Sequence, residues 1–184
     1  MTREEALALL KQKIQTPNLI KHSLSVEAGM KELALYFGED TNKWGLTGLL
    51  HDIDYEETKD KPEEHSLVGA QFLKEQGVED EITEAIKTHN ERHGIPPQSK
   101  MAKGVFCVDP LTGLIVAATL VLPSKKIKDL TPENILNRMK EHGFAKGAKR
   151  EIIMQCEPLL GLSLKDFVTI VLRGMQKISQ DLEL

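Results

Sequence analysis

Six side chains in this sequence are of types that bind metal ions, and all six sit where the surrounding pattern points inward: His22, His51, Asp52, His65, His89 and Asp109. The stretch Leu49–Tyr55 reads LLHDIDY, so two leucines run straight into an adjacent His–Asp pair, and Asp109 stands inside VFCVDPLTGLIVA. A carboxylate buried alone costs several kcal/mol or more. A divalent cation bound by imidazole nitrogens and carboxylate oxygens satisfies all of these groups at once. Asp52 carries two oxygens and is able to bridge two ions, with His22 and Asp109 completing one site and His65 and His89 the other. One or two divalent transition-metal ions (Fe, Mn, Zn, Co or Ni) suit this donor set better than Mg alone. Each residue also has a plainer reading. A single His on an apolar helical stripe is usually a core residue with one hydrogen bond, and Asp109 before Pro110 has the form of a helix N-cap. Those plainer readings must all hold together to dismiss the site.

The elements that have to position these groups read as helices. Thr2 and Glu5 form a capping box ahead of Leu7, Leu10 and Ile14. A second helix is expected from Pro17 to Gly38 and places His22 on the stripe of Val26, Met30, Leu33 and Phe37. A third, from about Asn42, delivers His51–Asp52 at its C-terminal end. After a polar loop, a fourth from about Pro62 to Gln76 groups His65 with Val68 and Phe72. A fifth, about Asp80 to Asn90, groups Ile82, Ala85, Ile86 and His89. The sixth, about Lys100 to Leu122, is nearly all apolar, and Pro110 is expected to kink or divide it. Further helices are expected from Thr131–Pro132, over Ala148 to Leu160 and over Ser163 to Leu182. The expectation is an all-α bundle of about eight or nine helices in one domain, residues 1–184. Its metal-site core spans about 21–120, and its C-terminal helices 131–184.

Twenty-four basic and 28 acidic residues give a net charge of -4, which supplies no electrostatic reason to expect a nucleic-acid partner. Cys107 and Cys156 lack CxxC spacing and read as buried free thiols of a reducing compartment. The N-terminus does not read as a secretory signal, and the longest apolar stretch, Leu111 to Leu122, is too short to span a bilayer. A cytoplasmic location is the expectation. His93 and His142, each beside a glycine, read as exposed helix-end residues.

A His, then a His–Asp doublet, then a distant Asp resembles the HD-domain superfamily of metal-dependent phosphohydrolases, here His22, His51–Asp52 and Asp109. LLHDID is similar to that family's Leu-Leu-His-Asp-Ile-Gly segment, and HSLVGAQFL resembles the helix that follows it in many members. The resemblance covers about Lys21 to Leu120. It implies a metal site between helices, with His65 and His89 in the places of the extra ligands of two-metal members. THNERHGIP is similar to the His-His-Glu-Arg segment of the cyclic-dinucleotide phosphodiesterase branch. The chain departs from that branch at Asn90, Asp54 and Tyr55, which argues against that substrate.

The resemblance implies a metal-dependent phosphohydrolase acting through a metal-activated water. The expected substrate is a small-molecule phosphate ester, a nucleotide among the candidates, with no nucleic-acid polymer and no membrane as partner. Asp52 is the first choice for the catalytic carboxylate. Asp54 and Glu56 are weaker candidates for proton transfer, and Arg92 and Lys103 for phosphate contact. The alternatives are an HD-fold di-iron oxygenase and a non-catalytic metal- or nucleotide-binding sensor. Trp44 and Phe106 read as core residues.

Overall fold

A computed structural model describes residues 1–184, and all of its regular structure is helical. In chain order the helices are α1 (Arg3–Lys13), α2 (Pro17–Phe37), α3 (Thr41–Leu50), α4 (Tyr55–Thr58), α5 (Leu67–Glu75), α6 (Asp80–Thr88), α7 (Lys100–Leu120), α8 (Pro132–Met139), α9 (Arg150–Ile153), α10 (Cys156–Leu160), α11 (Leu164–Lys177) and α12 (Ser179–Leu182). Nine have five residues or more, and α4, α9 and α12 are single turns. Several ends are those the sequence announces. Thr2 and Glu5 make the reciprocal capping box of α1, Pro17 opens α2, and Gly38 closes it at φ +68°, a conformation glycine adopts without strain.

The bundle is organised around α2 and α7. α3, α7 and α11 pack on α2, and α7 also meets α6, α8, α9 and α10. By length and mean hydropathy α7 could cross a membrane, contrary to the length judged from Leu111 to Leu122, and here 61% of its apolar window is buried inside the bundle. It also runs through Pro110 undivided. Proline removes one intrahelical bond, but Val105 and Val108 before it and Leu111, Leu114 and Ile115 after it are fully buried. Tertiary packing on both sides holds the helix together. Cys107 and Cys156 are buried free thiols.

Close approach of α3 to α2 depends on Gly48. A Cβ there would lie 2.8 Å from the backbone nitrogen of Glu27 and the carbonyl group of Val26. Neither backbone can yield without moving a helix. Gly48→Ala is therefore expected to destabilise the fold by about 1–3 kcal/mol, read as a lowered urea midpoint. Because the Gly48 carbonyl also touches His51, metal affinity should fall in the same variant.

Other elements also differ from the expected layout. His65 does not lie on a helix: Ser66 is left-handed at φ +71° and α5 starts at Leu67. The Asp54 carboxylate causes this, accepting the N–H groups of Ser66 and Gly69 at 2.8 and 2.7 Å and so capping α5 from outside. The C-terminal helices are each interrupted, α9 from α10 at Met154–Gln155 and α11 from α12 at Ile178.

Candidate metal centre

The six predicted groups converge. His22 comes from the first turns of α2, His51 and Asp52 from the end of α3, His65 from the turn before α5, His89 from the C-cap of α6, and Asp109 from the middle of α7. Asp52 lies at the centre. Its Oδ2 is 3.6 Å from His22 Nε2 and 3.4 Å from His51 Nε2, and its Oδ1 is 3.2 Å from His65 Nε2 and 3.4 Å from His89 Nε2. Asp109 Oδ1 adds a contact of 3.0 Å to His22 Nε2 and one of 3.7 Å to His51 Nε2. One oxygen of Asp52 thus faces His22, His51 and Asp109, and the other faces His65 and His89. The imidazoles meet edge to face, with ring centroids 5.1 Å apart from His22 to His51, His51 to His89 and His89 to His65.

Every one of these histidines has its other nitrogen engaged. His51 Nδ1 donates to the Gly48 carbonyl at 2.8 Å and His89 Nδ1 to the Ile86 carbonyl at 2.6 Å. A carbonyl only accepts, so the proton is on Nδ1 and Nε2 is left to face the site. His65 Nδ1 donates to Asp54 Oδ1 at 2.9 Å. Thr112 spends its hydroxyl proton on the Asp109 carbonyl at 2.9 Å, so its oxygen accepts from His22 Nδ1 at 3.3 Å. This is how metal-binding histidines are held in position.

The donor set fits one or two divalent cations. His51 Nε2 is fully buried with no hydrogen-bond partner, an arrangement that costs stability unless something else satisfies the lone pair. The nearest ligand atoms of His22, His51 and Asp109 lie within 4.8 Å of one another, as do those of His51, Asp52 and His89. The remaining buried carboxylates are satisfied differently. Glu27 is paired with Arg3 and Lys31, Glu32 with Arg173 and Lys177, and Asp54 accepts three N–H groups. Asp52 and Asp109 meet only imidazoles.

The electrostatics follow from this contact. Burial works against charge on Asp52 and Asp109, but the adjoining imidazoles outweigh it and hold both carboxyls below the usual range, Asp52 well below. Burial also pushes His51 and His65 down, yet the carboxylates beside them prevail. His51 stands well above its ordinary value, and His65, next to Asp52 and Asp54, is raised to about 9. A cation must displace the His65 proton, so apparent metal affinity should climb as pH rises toward about 9, by up to about tenfold per unit for each proton released. Without metal the signs reverse. The stabilisation from His65 is complete below its unfolded value of 6.5 and disappears as pH rises through about 9, while that from Asp52 and Asp109 is present above 3.8 and disappears on acidification. Calorimetric titration with Mn and melting curves in chelator, both across pH 5–10, check the two halves.

The site opens into a cleft of ≈ 410 Å³ whose walls include Tyr55, Arg92, Phe106 and Lys149. Arg92, expected as a phosphate contact, lies in this wall, and Lys103 does not. Phe106, expected in the core, also lines the cleft. It is half-buried on α7 just before Asp109, packed against the core on one side and facing the cleft on the other. Asp54 is not a solvated loop acid: it is 3% exposed and holds His65. Glu56 accepts the N–H groups of Gln15 and Thr16 at the α1–α2 junction, away from the cleft. His93, expected to be merely exposed, donates from Nε2 to the His65 carbonyl at 2.6 Å, and Asn90 Nδ2 donates to the same oxygen at 3.2 Å. His93 and Asn90 therefore fix the turn that carries His65, a role no spacing rule would have found.

A profile of the HD domain matches residues 19–114, and the chain belongs to that family, one of metal-dependent phosphohydrolases. It is 33% identical over 138 residues to a protein named Ribonuclease Y from Oleidesulfovibrio alaskensis, covering 73% of this chain and 26% of that one. A protein of the same name from Lawsonia intracellularis is 31% identical over 140 residues, 74% of this chain and 27% of that one. An uncharacterized protein of Methanocaldococcus jannaschii is 34% identical over 94 residues, 48% of this chain and 54% of that one. The chain spans about a quarter of the length of the first two. No solved structure matches. The names of these relatives overturn the expectation that no nucleic-acid polymer is a partner. That expectation rested on a net charge of -4, a sum over the whole surface that says little about the field inside one cleft.

Proposed function

We propose that this HD-family chain is a phosphodiesterase acting on RNA or an RNA-derived oligonucleotide. The substrate class rests on the relatives named Ribonuclease Y, and it replaces the small phosphate ester expected from the sequence. The observation that carries the chemistry is the partition of Asp52, with one oxygen turned to His22 and His51 and the other to His65 and His89. On this reading His22, His51, Asp52 and Asp109 hold one cation, and Asp52, His65 and His89 hold a second. Bound there, divalent ions supply an activated water and neutralise charge on the phosphoryl oxygens.

The chain's own groups do the rest. Asp52 joins the two halves of the site and fixes their separation. The carbonyls of Gly48 and Ile86 hold the neutral rings of His51 and His89 in the tautomer whose Nε2 lone pair faces the site. His22 and Asp109 form the more open side, with side chains 25% and 30% exposed against 0% for His51, so the phosphodiester approaches from there. Arg92, exposed in the cleft wall, attracts the phosphate backbone.

The test supplies chelator-treated protein with Mn, Fe, Co, Ni, Zn or Mg, and assays a short RNA and bis(p-nitrophenyl) phosphate without oxygen. Metal-dependent cleavage of both is expected, and anaerobic turnover separates hydrolysis from oxygenase chemistry. Failure to cleave any phosphodiester with any of the six metals would overturn the proposal.

A further inference from the structure

The segment Lys140–Arg150, KEHGFAKGAKR, lies beyond the part of the chain matched to the family. It carries four Lys or Arg against one acid, in a chain whose net charge is -4. That one acid, Glu141, is already paired with Arg138, while Lys140 and Lys146 make no ion pair.

This basic loop is built rather than draped. The Arg150 guanidinium donates to the carbonyls of Ala145 and Ala148 at 2.7 Å each, and also to that of Phe144. Three carbonyls on one planar fork hold the loop in a single shape. The shape brings Gly147 and Lys149 into the wall of the metal-site cleft. Lys149 pairs with Glu91, the neighbour of Arg92 in the lining of the same cleft. An ion pair exposed to this degree, with side chains 42% and 37% accessible, adds little stability. A phosphate can therefore replace Glu91 at little cost, and the ordering of Lys149 has already been done by the fold.

We propose that the Lys140–Lys149 loop is a second phosphate-binding wall of the site, with Lys149 as the group that grips a backbone phosphate neighbouring the scissile one. This rests on the reading of the cleft as a phosphodiester site and deepens it. A ligand with one phosphate uses the metal centre alone, whereas a chain of phosphodiesters engages both. The metal-binding groups and Lys149 line one cleft of ≈ 410 Å³, so one flexible strand can reach both. The substrate class assigned is thus a single-stranded oligonucleotide, selected by its repeating charge.

The experiment measures anisotropy of a fluorescein-labelled, phosphorothioate-linked single-stranded oligoribonucleotide, which resists hydrolysis, on the metal-loaded protein at two or more salt concentrations. Lys149→Glu should weaken binding about tenfold or more and lower the log–log salt slope by roughly 0.7. Glu91→Gln, which frees Lys149, should tighten binding. Metal content and melting temperature are measured on each variant to show that fold and centre persist. Binding by Lys149→Glu within twofold of the parent at an unchanged slope would overturn the proposal, as would a parent protein that does not bind the oligonucleotide. Failure of the broader reading looks different. A protein that grips the strand through Lys149 but cleaves neither the short RNA nor bis(p-nitrophenyl) phosphate refutes the phosphodiesterase and leaves this surface standing.

Discussion

Asp52→Ala should abolish metal-dependent phosphodiester cleavage, by about 10³-fold or more, and should leave the protein without stable occupancy of either metal position. The reason is geometric. Asp52 is the one side chain with an atom turned to each half of the site, Oδ2 toward His22 and His51 and Oδ1 toward His65 and His89. Removing any single histidine subtracts from one half only, so His65→Ala or His89→Ala should cost one equivalent of metal and spare the other. The fold should survive Asp52→Ala. Without the carboxylate, His51 and His65 lose one of the two charges that raise each of them, and burial then weighs more heavily toward their neutral forms. Elemental analysis of the purified variants, with circular dichroism as a control for folding, checks all three. Full metal-stimulated turnover by Asp52→Ala would rule out the assignment.

Asp54→Ala is expected to have the next largest effect, and on two properties at once. The carboxylate accepts from His65 Nδ1 and from the N–H groups of Ser66 and Gly69 while only 3% exposed. Its removal strands those donors, at a cost of about 1–3 kcal/mol, and leaves His65 free to rotate. Loss of such a support lowers metal affinity or activity by roughly 10–100-fold, here at the His65–His89 position. Asp54→Asn separates the two roles. Its amide oxygen can still cap α5, so most of the stability should return, but its NH₂ group opposes the His65 Nδ1 proton, so metal affinity should not. Urea denaturation and metal titration on the two variants provide the comparison. Equal metal affinity in Asp54→Ala and the parent would show that Asp54 only caps the helix.

The contrast between Asp52 and Asp54 shows what could be read in the sequence. Helical periodicity placed His22, His51, His89 and Asp109 on inward faces, and the chemical demand of buried charge gathered them. That argument concerns residue type and spacing, both visible in one dimension. Cap residues were equally visible, as at Thr2, Pro17 and Thr131, because a cap is satisfied within three residues. What remained hidden depended on contacts between distant segments. Asp54 caps a helix that begins 13 residues later, and His93 reaches back 28 residues to the His65 carbonyl. The helix expected to carry His65 fails for the same reason, since the left-handed Ser66 is fixed by Asp54 rather than by its neighbours. Pro110 was read by its local rule, and packing across α7 overrode it. The substrate lay furthest out of reach, because total charge does not locate charge.

The two innermost histidines are oriented by main-chain oxygens, three residues back in each case. Side-chain replacement at Gly48 or Ile86 can displace such an oxygen but cannot delete it. The deeper histidine of each half of the site is thereby insulated from point mutation, whereas the outer one, His22 or His65, relies on Thr112 or Asp54, which one codon can erase. Divergence within this scaffold should accordingly begin at the outer histidine of each position, while the deeper one endures.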